Sequence, residues 1–475
     1  MTKREFRHDV ERGLGSCVLA LGDEAARERF LPLVLWACGR DTAYDAQSEG
    51  NRGRYLYFLI EQYPDPAPFL DVIEMRLLCS IRSRGWEFAQ DCDLLAYLFS
   101  GGVPRAWKIL MRCYDRLYSI LRQKRRRGKY GLCPERDNFE HLCRTLVCKC
   151  FSGKAQKRKI YRRIVQDLGI LFAENPLFSF LSFEWFQKES EETLGKSAVQ
   201  KILCEPDAGI AAYARAMEQR QKERAETRPE PGSIHPQNAE EIYAALQAGQ
   251  YGYSFLWAGR LWQRNRQDEI AKLAEFYCAE TDLRTRRELL RILQLRVCAG
   301  MLQLDALLAD SRSGDEDLSW FAFNALCCQK SERVRAYAYE LLQSGAHIAQ
   351  AVSLLAVNYT DADRTALIDA VRRIPIDRED TGWHSAFWKV MDLFREHRAH
   401  GLNELLPYLY RSTLCSGCRA KVVKEMGRRR MLTPALLAEL QFDCNKDIRA
   451  YAAKRLRAAE RHTAGRCIAE KKRCP

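Results

Sequence analysis

The segment "NKDIRAYAAKRLRAAE" at 445–460 echoes "SERVRAYAYELLQSG" at 331–345. Val334-Arg335-Ala336-Tyr337-Ala338 sits over Ile448-Arg449-Ala450-Tyr451-Ala452, and Leu342 over Leu456, at an offset of 114 residues, or three units of 38. A second match lies near the N-terminus. "FLPLVLWAC" from Phe30 aligns with "FLDVIEMRL" from Phe69 at an offset of 39, and the same shift carries "YLYFLI" at 55–60 onto "LLAYLF" at 94–99. Apolar residues recur throughout at helical spacing, and no strand-like alternation competes with them. In "KRKIYRRIVQDLG", Ile160, Tyr161, Ile164, Val165 and Leu168 form one face, with Lys159, Arg162, Arg163 and Gln166 opposite. A unit of two short amphipathic helices cannot bury both faces alone. The expectation is therefore an all-α fold of helix pairs that stack and share a continuous core.

The C-terminal units carry more detail. A polar residue, an aliphatic and an arginine recur before the second helix, as in Asp447-Ile448-Arg449 and Asp282-Leu283-Arg284. The aspartate can cap free backbone N–H groups, and each arginine can reach a carboxylate of a neighbouring unit. This pattern resembles HEAT and HEAT-like repeat proteins, most clearly over 265–460 and in rhythm over 24–100. The resemblance implies an α-solenoid of stacked antiparallel helix pairs and says little about function. One break interrupts the rhythm: "QRQKERAETRPEPGSIHPQNAEE" at 219–241 holds Pro229, Pro231, Gly232 and Pro236. Its composition reads as a linker or surface loop. The expected organisation is an N-terminal helical domain at 1–218, this linker at 219–241, and a C-terminal repeat domain at 242–475.

Nineteen cysteines are spread over 475 residues, mostly beside Leu, Val and Ala. They read as reduced, buried small hydrophobes rather than a disulfide framework. No run suits a membrane span, and "MTKREFRHDVERGLGS" is a poor signal peptide, so a cytoplasmic location is expected.

Several motifs invite a chemical reading. Gly195-Lys196-Ser197 is similar to the end of a phosphate-binding loop, but Ser190 stands where that loop needs its first glycine. His397, His400, Cys415 and Cys418 have zinc-like separation. The repeat alignment instead puts Cys418 on the core position of Ile448, with Cys415 in the preceding turn. His141, Cys143, Cys148 and Cys150 suit a buried helix face better than a knuckle. No metal or cofactor is implied. Some HEAT-like solenoids are alkylpurine DNA glycosylases, which this chain resembles in repeat type and basic charge; the nearest candidates for such a site are Trp383, Trp388 and Asp392. No catalytic constellation can be singled out, and a non-enzymatic role leads.

Charge supplies the strongest functional signal. From Arg122 to Arg163 there are 15 Lys plus Arg against 3 Asp plus Glu; of the chain's net +14, the other 433 residues carry only +2. The candidate nucleic-acid-binding residues are Arg122, Lys124, Arg125, Arg126, Arg127 and Lys129 in one run, and Lys154, Lys157, Arg158, Lys159, Arg162 and Arg163 in the other. Asp137 and Glu140 between them fit a helix-capping pair. The two runs are expected to lie side by side across that helix and to release counter-ions from a polyanion, nucleic acid first and an acidic protein or membrane surface second. A protein–protein scaffold using its concave face is the alternative.

Overall fold

Proline at the first helical position and polar N-caps set where many helices start. Pro104, Pro134 and Pro434 each open one, where the missing N–H costs nothing. Asp23, Asp282, Asp315 and Thr433 each accept a backbone N–H at the start of another. The computed structural model describes residues 1–45, 49–83, 86–126, 134–173, 183–226, 238–251, 266–294, 301–377, 382–396 and 400–471. It is 78% helix, with 25 α-helices and no strand among the described residues. None of these helices is long and apolar enough to cross a membrane. Nine of the fifteen cysteines whose side chains are described, all free thiols, are buried.

The chain forms two compact units. One comprises Met1–Arg228 together with Tyr410–Pro475, and the other Pro229–Leu409. The sequence reading kept 410–475 with the C-terminal repeats. The contacts of Gly13 and Gly15 explain the different grouping. Gly13 ends the Lys3–Arg12 helix at φ 70°, and its carbonyl accepts from Cys444 N at 2.9 Å. A Cβ on Gly15 would fall 1.9 Å from the Glu439 carbonyl oxygen. Two glycines thus let the first turn of chain press directly against 439–444.

Within the first unit, repeat-related positions share one core. Phe30 and Phe69 are both buried, as are the pairs Leu56 and Leu95, and Leu59 and Leu98. They sit on helices Glu24–Cys38 and Ala67–Ser80, then Gly53–Ile60 and Trp86–Ser100. The 39-residue offset therefore marks equivalent burial.

An arginine ladder marks the later helices in both units. Arg286, Arg335, Arg419 and Arg449 each lie four residues after a helix cap, namely Asp282, Ser331, Cys415 and Asn445. Three of them reach a carboxylate 24–28 residues on: Arg286 pairs with Asp310, Arg335 with Asp363 and Arg419 with Asp443. Three also donate to carbonyls just before their own helix, Arg286 to Glu280, Arg419 to Thr413 and Arg449 to Asp443. This corrects the sequence alignment. Asp282 is itself the cap, whereas Asn445 caps ahead of Asp447. The equivalent of Arg449 is thus Arg286 and not Arg284. Val334, Cys418 and Ile448 occupy one core position, each at most 1% exposed.

Candidate anion-binding surface

The basic block falls on three consecutive helices of the first unit: Pro104–Arg126, Pro134–Cys148 and Lys154–Ala173. The first buries Ala106, Ile109, Leu110, Cys113, Leu117 and Leu121, a helical stripe that turns its cations outward. The third buries Tyr161, Ile164, Val165 and Leu168, the face expected from sequence. Tyr114 donates to Asp167 at 2.7 Å and Arg163 to Asp115 at 2.9 Å, so these outer helices also touch each other.

Those bonds fix the register. Ser100 Oγ donates to the carbonyl of Lys149 at 3.1 Å, which sets the start of the third helix beside the start of the first. The two run in the same sense, with Arg163 level with Asp115. Arg122 then lies seven residues beyond that level, about 10 Å at 1.5 Å per residue. Along the helix axis Arg122 thus lies beyond the 154–163 run rather than beside it.

The individual cations divide into two kinds. Arg122, Lys154, Arg158 and Lys159 are exposed, and no carboxylate pairs with them among the described residues. Lys108 and Arg116 share that state and lie before the stretch counted from Arg122. By contrast, Lys157 donates to the Cys148 carbonyl at 3.3 Å, capping the C-terminus of the middle helix. Arg162 pairs with Glu205, and Arg163 lies between Asp115 and Asp167 with its guanidinium 5.2 Å from the ring centre of Tyr114. Those three hold helices together. Lys124, Arg125 and Arg126 belong to the last turn of the first helix; Arg127 and Lys129 lie outside the described residues.

Asp137 and Glu140 do not form a capping pair at this helix. It begins earlier, at Pro134, so both residues fall inside it. Asp137 is exposed and pairs with Arg136. Glu140 is buried and accepts from Phe186 N at 3.2 Å, capping the Phe183–Leu194 helix instead. Burial pushes the Glu140 carboxyl up to about 7.

The remaining motifs resolve individually. Gly195, at φ 89°, caps Lys196–Leu203 directly after the Phe183–Leu194 helix, and Ser190 is buried within that preceding helix. A wrapped phosphate loop has no room there. His141 Nε2 lies 3.4 Å from Asp93 Oδ1, while Cys143 is core and Cys148 accepts from Thr193 at 3.3 Å; the set does not converge. Cys415 Sγ accepts from Cys418 N at 3.4 Å in the turn expected for it. His397 lies outside the described residues, and the side chain of His400 does too. In the second unit Trp383 is buried and donates to the Asp377 carbonyl at 3.0 Å. Asp392 borders a cleft of about 310 Å³ with Cys328, Lys330 and Lys389. Neither Trp383 nor Trp388 lines it.

The chain matches no protein-family model and no characterised protein in sequence.

Proposed function

We propose that this chain is a non-enzymatic binding scaffold of the HEAT-like α-solenoid type, and that nucleic acid is the anion it engages. The shared burial across the 39-residue offset and the recurring arginine four residues after a helix cap support the repeat reading. The observation that carries the functional reading is the set of solvent-facing cations with no carboxylate partner among the described residues, Lys108, Arg116, Arg122, Lys154, Arg158 and Lys159, held on regular helices. Cations fixed in this way bind a phosphate backbone through counter-ion release, without reading sequence.

The test is a salt titration of the full chain on single- and double-stranded DNA and RNA. Arg122, Lys154, Arg158 and Lys159 are replaced by Gln in one variant, leaving Lys157, Arg162 and Arg163 in place. Loss of low-salt binding with unchanged helicity supports the proposal; equal binding, or none by the wild type, removes it. Removal would favour the protein-scaffold reading, which draws on Met75 and Leu78, exposed 63% and 38% on one face of the Ala67–Ser80 helix.

A further inference from the structure

Among the ladder arginines Arg449 differs from the other three. Its guanidinium donates to the backbone carbonyls of Asp443 and Cys444, at 2.6 and 2.7 Å, and no carboxylate pairs with it among the described residues. Its guanidinium instead lies 5.7 Å from the ring centre of Phe58. A second arginine meets it there. Arg54 sits 4.7 Å from the same ring, 5.0 Å from Tyr57 and 4.9 Å from Tyr97, with no hydrogen bond or ion pair among the described residues. Both arginines are half-buried, and each occupies the first turn of its helix, Gly53–Ile60 or Lys446–Lys471. Helix N-termini add positive potential at that point.

Two guanidiniums gathered on one ring without an acid between them repel each other. Burial lowers the pKa of Arg449; Cys444 and Asp443 pull it the other way, and the Arg54 charge adds to the lowering. Aromatic faces offset part of this cost, yet the N–H groups of Arg54 stay without an acceptor. An anion would satisfy both side chains at once, and a phosphate oxygen pair matches the guanidinium fork.

The location ties this cluster to the basic helices. Tyr97 and Ser100 are one turn apart on the Trp86–Ser100 helix, and Ser100 bonds the carbonyl of Lys149, just before Lys154. We infer that Arg54 and Arg449, held on Tyr57, Phe58 and Tyr97, form a phosphate-binding site that grips the backbone of a nucleic-acid strand lying along Lys154, Arg158 and Lys159. This deepens the proposed function and rests on it for the identity of the ligand.

The experiment measures binding of a labelled oligothymidylate by the full chain, comparing wild type, Arg54→Gln, Arg54→Lys and the fourfold Gln variant. Arg54→Gln should bind about tenfold more weakly, the scale of one lost charged hydrogen-bonded contact, and its salt slope should fall by about 0.7 for a single strand. Arg54→Lys should retain part of both, since it keeps the charge without the fork. If Arg54→Gln binds like wild type while the fourfold variant fails, this site is refuted and the proposed function stands. If wild type binds no oligonucleotide, the proposed function falls and inorganic tripolyphosphate decides the site alone. A rise in melting temperature with tripolyphosphate that Arg54→Gln abolishes then supports it; an equal rise in both proteins, or none, overturns it.

Discussion

Arg419 and Arg158 are identical side chains with opposite surroundings. Arg419 is fully buried, donating at 2.9 and 3.0 Å to the two oxygens of an equally buried Asp443. Arg158 stands in solvent with no carboxylate partner among the described residues. Charge counting scores them alike. What separates them is phase: four residues after a cap, a side chain points toward the next helix, and a carboxylate waits there three times over. Around Lys154, Arg158 and Lys159 on the outer face of Lys154–Ala173 no carboxylate waits among the described residues. The basic block therefore has to be read cation by cation, and Lys157, Arg162 and Arg163 drop out of it because their bonds are internal.

The comparison breaks most sharply at Arg419. Replacing it with Met strands a buried carboxylate, a loss of about 3–5 kcal/mol. We expect a large fall in the denaturation midpoint by circular dichroism, and substantial recovery when Asp443 is replaced by Leu in the same chain. A small effect from Arg419→Met alone would mean that the ladder does not organise this part of the fold.

Glu140 tests a buried charge with no strong cationic partner. Its carboxyl is pushed from 4.5 up to about 7 by burial, so the folded chain holds this proton more tightly than the unfolded chain does. Stability from this group is complete below about pH 4.5 and declines as pH rises through 7, by about 3 kcal/mol in total. Glu140→Gln keeps an acceptor for Phe186 N and removes the titration. The variant should gain on wild type between pH 5 and pH 8.5 in urea denaturation. A constant difference over that range would contradict the assignment.

For the exposed cations the expected stability change is far smaller. The fourfold replacement of Arg122, Lys154, Arg158 and Lys159 by Gln should shift stability by no more than about 0.5 kcal/mol per site, while the salt slope on duplex DNA falls by about 3 to 4. Adding Lys157→Gln, Arg162→Gln and Arg163→Gln should lower the melting temperature as well. If both variants melt alike, the division into structural and free cations fails.

Sequence carried the matching burial because burial has a period. Phe30 and Phe69, or Val334 and Ile448, are legible as partners without any knowledge of what packs on them. The outward face of 154–163 was legible for the same reason. Partners distant in the chain leave no such mark. Nothing near Arg162 announces Glu205, nothing near Glu140 announces Phe186, and Arg54 and Arg449 meet across almost 400 residues. The packing of Gly13 and Gly15 against 439–444 was hidden too, since a glycine in a turn looks the same whether or not another backbone presses on it.

The smallest effect belongs to Cys418. It fills the position held by Val334 and Ile448 and is 1% exposed. Its hydrogen bond with Cys415 and its burial push the thiol up, so it carries no thiolate at neutral pH. Valine is close in volume and suits the same pocket, as Val334 demonstrates in its own helix. Cys418→Val should therefore cost less than about 1.5 kcal/mol, read as the shift in denaturation midpoint under reducing conditions. A larger loss would mean that this position needs its sulfur. The equivalence with Val334 and Ile448 would then describe backbone register alone, and the contrast between Arg419 and Arg158 would have to rest on the ion pair without support from the core beside it.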